Sequence, residues 1–283
     1  MQHPFRRLLS GAAISAMLCG ARTALAQVPR NWELGMQTAH SPVQVEVERL
    51  HALLLVIITL ITLFVAGLLG YVMWRFNATR HPQPSRVSHN TALEVAWTLA
   101  PALILAIIAI PSFRLIYYED RARNPDMTLK VTGHQWFWEY TYPDQGGIDF
   151  SSIMVPVDEL KPGQKRLLEV DNPVVLPVGK KIRVLTTSSD VIHSFFVPSL
   201  GLQRYAIPGH TIETWVEIDK PGHYYGECNQ ICGTNHPFMP VSVVAMTQAD
   251  FDAWAAKTKT AENTAGPLSV ADAAKGPAQG ELR

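Results

Sequence analysis

Two long apolar runs set the strongest limit on what this chain can fold into. Ala52 to Trp74 and Val95 to Tyr117 contain no acid in their interiors, and each is close to the ~20 residues a helix needs to cross a hydrocarbon layer. In lipid, backbone N–H and C=O groups must be satisfied within the segment, so such runs are helices. A buried helix of a soluble core is the alternative, but two runs of this length in succession argue against it. The second run includes Pro101 and Pro111, which spanning helices tolerate better than soluble ones, and carries Arg114 near its outer end. Between the runs, residues 75–90 carry Arg75, Arg80 and Arg86 and no acids, whereas the outer flanks mix both signs. Positively charged loops stay in the cytoplasm. The expected arrangement is a two-helix transmembrane hairpin, about 52–74 and 95–117, with both ends outside.

Residues 1–26 read as a cleaved secretory leader, which agrees with that orientation. Arg6 and Arg7 precede a short apolar stretch, Leu8 to Cys19, and Ala24-Leu25-Ala26 forms an A-x-A site before Gln27. Leu18 is bulky where a lipoprotein signal wants a small residue before its cysteine. The leader type favours a bacterial inner membrane, with both termini of the mature chain in the periplasm. Residues 27–123 are then the N-terminal segment and membrane anchor.

Beyond residue 124 the chain changes character. Short runs rich in β-branched and aromatic residues recur, including Met127–Thr132, Trp136–Tyr142, Lys181–Thr187, Thr211–Ile218 and Val241–Met246, separated by Pro, Gly, Asn and Asp. This pattern indicates a small all-β sandwich over residues 124–252. Residues 253–283, rich in Ala, Gly, Lys and Pro from Lys257 onward, lack the hydrophobicity to fold alone. They read as a disordered tail, with a short docked helix as the alternative. The 24 Lys and Arg balance 24 Asp and Glu, so there is no global basic footprint for nucleic acid.

The chemistry is concentrated in Cys228-Asn229-Gln230-Ile231-Cys232-Gly233-Thr234-Asn235-His236-Pro237-Phe238-Met239, with His193 upstream. Thiolate, imidazole and thioether form a soft donor set that selects copper over harder metals. A structural zinc site takes four Cys or His ligands, usually in two spaced pairs. Here no second histidine pair follows, and Met239 would be idle. A mononuclear His2Cys site with an axial Met leaves one cysteine over. Two coppers bridged by both thiolates use the set most economically: each takes one histidine and one weak ligand, with a backbone carbonyl between the cysteines as the counterpart to Met239. A Cys228–Cys232 disulfide is compatible with export but explains neither His236 nor Met239.

This run resembles the CuA motif C-x-E-x-C-x3-H-x2-M of subunit II of haem-copper cytochrome c oxidases. Gly133-His134-Gln135-Trp136-Phe137-Trp138, Ala206-Ile207-Pro208-Gly209 and Pro221-Gly222-His223-Tyr224-Tyr225-Gly226 are also similar to that family, and the likeness covers roughly residues 40–250. It implies a cupredoxin-like Greek-key sandwich and a place as subunit II of an aa3-like oxidase. It also implies copper ligands His193, Cys228, Cys232, His236 and Met239, with the main-chain carbonyl of Gln230. The family usually has glutamate at position 230, where the side chain binds Mg2+ at the junction with subunit I. Gln230 keeps an oxygen donor but loses the charge, so magnesium would be held more weakly.

Strand alternation would put Trp136 and Trp138 on one face, with Phe137 opposite. The resemblance implies that Trp136 is a surface indole near the copper, where electrons arrive from cytochrome c. Cytochrome c is typically basic, so acids steer its approach, and Asp190 is the leading candidate for the dock. Tyr205 stands where the family often has an acid. Glu94, at the cytoplasmic start of the second helix, interacts with the helix dipole in the plainest reading. The resemblance implies that it stands at the mouth of a proton path into subunit I.

The resulting expectation is an electron relay. Its partners would be subunit I, subunit III, cytochrome c and the membrane, and the oxygen chemistry and proton pumping would reside in subunit I. A quinol-oxidizing relative would lack the two cysteines, and a fused-haem variant would need C-x-x-C-H, which is absent. A membrane-anchored copper chaperone or storage protein is the alternative of a different class. It would need exposed, exchangeable thiols.

Overall fold

A computed structural model describes residues 26–83 and 85–265. The leader read over residues 1–26 lies outside the described residues except for Ala26, as does the tail from 266 onward. Strand β1 (Ala26–Gln27) is followed by helices α1 (Pro42–Arg75) and α2 (Thr91–Glu119). Both helices begin before their apolar runs, at residues 42 and 91 rather than 52 and 95, because capping sets the ends. Ser41 Oγ accepts from Gln44 N–H, and Pro42 occupies the first helical position, where its missing N–H costs nothing. Asn90 Oδ1 accepts from Leu93 N–H, while Glu94 Oε1 accepts from Asn90 N–H at 3.2 Å. The 34 residues of α1 rise ~51 Å, well beyond a ~30 Å hydrocarbon layer. The surplus carries the helix out to a β domain. Outward-facing Leu, Ile, Val and Phe line both helices, as a lipid or subunit environment requires.

The β domain comprises β2 (Met127–His134), β3 (Phe137–Tyr142), β4 (Ile148–Ser152), β5 (Val174–Pro177), β6 (Ile182–Ser188), β7 (His193–Val197), β8 (Leu202–Ala206), β9 (Ile212–Val216), β10 (Gly222–Cys228) and β11 (Pro240–Met246). One sheet runs β4-β3-β2-β6-β9 and the other β5-β11-β10-β7-β8, with β1 beside β10. The pairs β2/β6 and β5/β11 are parallel, so distant stretches of chain cross over to pair, as in a Greek-key sandwich. Period-2 burial on β3 and β6 directs Trp138, Tyr140, Tyr142, Ile182, Val184 and Thr186 inward. Phe195, Val197, Tyr224 and Val243 meet them from the other sheet.

Both helices are stitched to this domain at their outer ends. His40 N–H donates to Ser199 O, Ser41 Oγ–H to Leu200 O at 2.7 Å, and His40 Nδ1 lies 2.9 Å from Asp219. At the end of α2, where carbonyls lack helical partners, Tyr118 O accepts from Trp215 Nε1–H and Glu119 O from Thr214 Oγ–H, at 2.7 and 2.9 Å. The arginine-bearing loop is therefore at the far end of the hairpin.

Two expectations need correction. The boundary drawn at 252 cuts a helix: α3 (Gln248–Ala265) continues through residues read as irregular. Phe251 is 2% exposed within the core, and Trp254 packs on Tyr142 at 5.3 Å. Two aromatic residues on one face suffice to dock a segment whose average composition is weak. Trp136 also does not share a strand face with Trp138. Gln135 and Trp136 form the turn between β2 and β3, with His134 paired to Phe137. Only Trp138 enters the core.

Candidate metal centre

The sandwich brings together two stretches of chain. The first is the start of β7, where His193 is fully buried; the second is the loop between β10 and β11. Pairing of Cys228 with Phe195 sets that loop beside His193. The bond from Cys228 N–H to Met239 O, at 3.3 Å, closes its base. The connection turns tightly, with Gly233 at φ +126 and a short helical turn at His236–Phe238.

Within this pocket Cys228 Sγ lies 3.9 Å from Cys232 Sγ. His193 Nδ1 is 4.0 Å from Cys228 Sγ, and His236 Nδ1 is 3.6 Å from Cys232 Sγ. Met239 Sδ is 3.5 Å from Cys232 Sγ, and Gln230 O is 3.3 Å from Cys228 Sγ. All six predicted donor groups therefore converge. A disulfide needs sulfurs at ~2.0 Å, so both thiols are free. Metal–thiolate bonds of ~2.3 Å let one ion touch two sulfurs up to about 4.6 Å apart, so the observed separation admits bridging. Burial, and then the neighbouring Cys228, push the Cys232 thiol up to about 12; a metal must displace its proton to bind. Four of the six donors are enclosed, Cys228, Cys232, His193 and Met239 all being buried, while His236 and Gln230 are partly exposed. Exchangeable chaperone thiols would be open to a partner.

The surroundings hold the donors in place. Trp138, fully buried, donates from Nε1 to Met239 O at 3.3 Å and meets the His193 ring edge-on at 5.9 Å. Gly133 is required beneath that ring, since a methyl there would lie 2.8 Å from His193 Cδ2. Half-buried Trp136 sits over the loop; a methyl on Gly233 would lie 2.9 Å from its Cζ2. Gln135 Nε2–H donates to Cys232 O at 2.8 Å.

Asp190 turns inward. Its Oδ1 is 2.9 Å from His193 Nε2, and its Oδ2 accepts from Gln135 N–H at 2.7 Å. Burial alone would raise this carboxyl, but the hydrogen bonds from His193, Val191 N–H and Gln135 N–H outweigh it and hold the pKa down. Glu94 lies far away in sequence and on the first turn of α2. Sequence reasoning missed the supporting roles of Trp138, Gly133 and Gln135. The Gly133–Trp138 motif flagged the segment, but which side each residue faces depends on where the hairpin turns.

Residues 127–246 match the family model described as cytochrome c oxidase subunit II, periplasmic domain, and residues 29–115 match its transmembrane domain. A Rickettsia felis protein named "Probable cytochrome c oxidase subunit 2" is 46% identical over 261 residues, covering 92% of this chain and 83% of its own length. Cytochrome c oxidase subunit 2 of Zea mays is 44% identical over 237 residues, covering 82% and 91% respectively. The crystal structure of the periplasmic domain of subunit II of cytochrome oxidase from Bradyrhizobium japonicum is 42% identical with a TM-score of 0.47, covering 50% of this chain and 99% of that one.

Proposed function

Because the chain belongs to the cytochrome c oxidase subunit II family, and is thus the electron-accepting subunit of an oxidoreductase complex in which the β domain carries copper, we propose that Cys228 and Cys232 hold a binuclear centre. The observation that carries this reading is the pairing of donors. Each sulfur has its own imidazole nitrogen within 4.0 Å, and each has one weak donor, Gln230 O or Met239 Sδ, within 3.5 Å. A single copper would leave one of these sets unused. When bound, the copper pair supplies a one-electron relay. The chain's residues keep it rigid: both ligand segments are tied to strands, and both thiols, His193 and Met239 are buried. A site that changes shape little between redox states passes electrons quickly.

Trp136, packed against the loop at Gly233 and partly exposed, is the residue through which electrons arrive from cytochrome c. Asp190 adds negative charge beside that turn. The copper ligands are His193, Cys228, Gln230 through its carbonyl, Cys232, His236 and Met239. From here electrons pass to haem in subunit I, with subunit III as a further neighbour, for oxygen reduction coupled to proton pumping. The Gln230 side chain offers an amide oxygen to Mg2+ at the subunit I junction, a weaker ligand than a carboxylate. Glu94 marks the mouth of a proton path. With the helix ends of the β-domain side opposite the arginine loop, the positive-inside rule favours the copper domain on the outer side, and the A-x-A leader favours a bacterial inner membrane, whose outer side is the periplasm. The organization follows as leader 1–26, anchor 27–123 and copper domain from 124, extended at its end by α3.

The test is copper content and the EPR spectrum of the purified oxidase. Two coppers in this subunit sharing one unpaired electron equally are expected. One localized copper, or none, overturns the binuclear reading.

A further inference from the structure

Asp190 is a surface acid by sequence, yet its carboxylate is spent on internal bonds. Oδ1 lies 2.9 Å from His193 Nε2 and accepts from Val191 N–H at 2.6 Å. Oδ2 accepts from Gln135 N–H at 2.7 Å. An ionized carboxylate only accepts, so Nε2 of His193 carries the ring proton and the Nδ1 lone pair is left to face the sulfurs. The same carboxylate anchors the Gln135–Trp136 turn, and Gln135 Nε2–H reaches across to Cys232 O at 2.8 Å. One continuous line of hydrogen bonds thus runs from His193 through Asp190 and Gln135 to the other ligand loop.

We propose that Asp190 is a positioning residue for the copper centre: it fixes the tautomer of His193 and locks the Trp136 turn to both ligand-bearing segments. This rests on the copper reading above. It makes His193 a strongly basic ligand, because its remote nitrogen donates to a carboxylate. An asparagine could not replace the aspartate. Its single oxygen can accept from either His193 or Gln135, and the amide placed opposite the other is a donor facing a donor or a driver of the wrong tautomer.

The test compares wild-type oxidase with Asp190→Asn, purified in detergent. Copper content of the wild type comes first; without copper the reading of the site fails, separately from the role of Asp190. In the variant, copper affinity against a competing chelator should fall by about 10- to 100-fold, and the histidine nitrogen couplings in pulsed EPR should change. Unchanged affinity and couplings, with only a higher KM for cytochrome c, overturn the proposal and leave Asp190 as a docking acid. Should Asp190→Asn fail to assemble, the wild type itself decides. The His193 Nε2 proton, held by the carboxylate, is expected to exchange slowly with deuterated solvent in proton ENDOR, and rapid exchange overturns the proposal.

Discussion

Gly226→Ala should disconnect the two halves of the metal centre. A methyl on Gly226 would lie 1.8 Å from Phe196 O, where ordinary contact begins at 3.4 Å, so the strands must part by about 1.6 Å. The obstacle is backbone on both sides, which no rotamer change relieves. A backbone N···O distance of ~2.9 Å widened by that amount is no longer a hydrogen bond. The β10–β7 pairing spans only Glu227↔Phe196 and Cys228↔Phe195, so there is no remaining ladder to hold register. Losing two such bonds at ~0.5–1.5 kcal/mol each, with overpacking of ~1–3 kcal/mol, gives a cost of about 2–6 kcal/mol. That is a large share of the ~5–15 kcal/mol by which a domain is stable. The functional loss is larger still, because this pairing sets Cys228 beside His193. The control is Gly209→Ala: φ is +74, but nothing lies within 4 Å, so its cost is about 1–2 kcal/mol of backbone strain with the ligands undisturbed. The assay is the copper-to-protein ratio and thermal melting of the full chain in detergent. Gly226→Ala with wild-type copper and an unchanged melting point would refute the reasoning.

Gln230→Ala should keep its full copper complement, because the donor near Cys228 is the main-chain carbonyl; loss of copper by elemental analysis would mean that the side chain matters. Copper loading of the metal-free chain, followed by absorbance, should quicken as pH rises through neutrality. A thiol held at about 12 by burial is protonated below that pH and must lose its proton to ligate, so a flat profile would count against this. Phe251→Ala removes a ring that is 2% exposed and should destabilize the β domain by roughly 3–5 kcal/mol in denaturation. Its copper spectrum should stay unchanged.

Much of this molecule follows from properties that residues carry wherever they stand. Apolar length makes the two membrane helices, because backbone groups in lipid have no alternative partner. Softness of the donors in Cys228–Met239 selects copper, because the run is short enough for one loop to present them together. The oxygen of position 230 that lies near Cys228 Sγ is a main-chain carbonyl, which any residue supplies. The helix ends were also written locally, in Ser41-Pro42 and Asn90, although hydrophobicity alone put them inside the runs.

Other features depend on which strands meet. His193 acquires its place only through the β7–β10 pairing, and Trp138 comes to support the His193 ring and the Met239 carbonyl only because the hairpin turns at Gln135–Trp136. Alternation counted along the chain assumed a straight strand through that turn and so set Trp136 on the wrong face. Asp190 looks like any surface acid until its loop folds back on β2 and closes its oxygens around His193 and Gln135. Phe251 and Trp254 dock a helix that composition reads as irregular. Donor type and apolar length are short-range quantities that one segment carries by itself. Orientation, burial and hydrogen-bond partners are set by packing between segments far apart in the chain, and only the closed sandwich decides them.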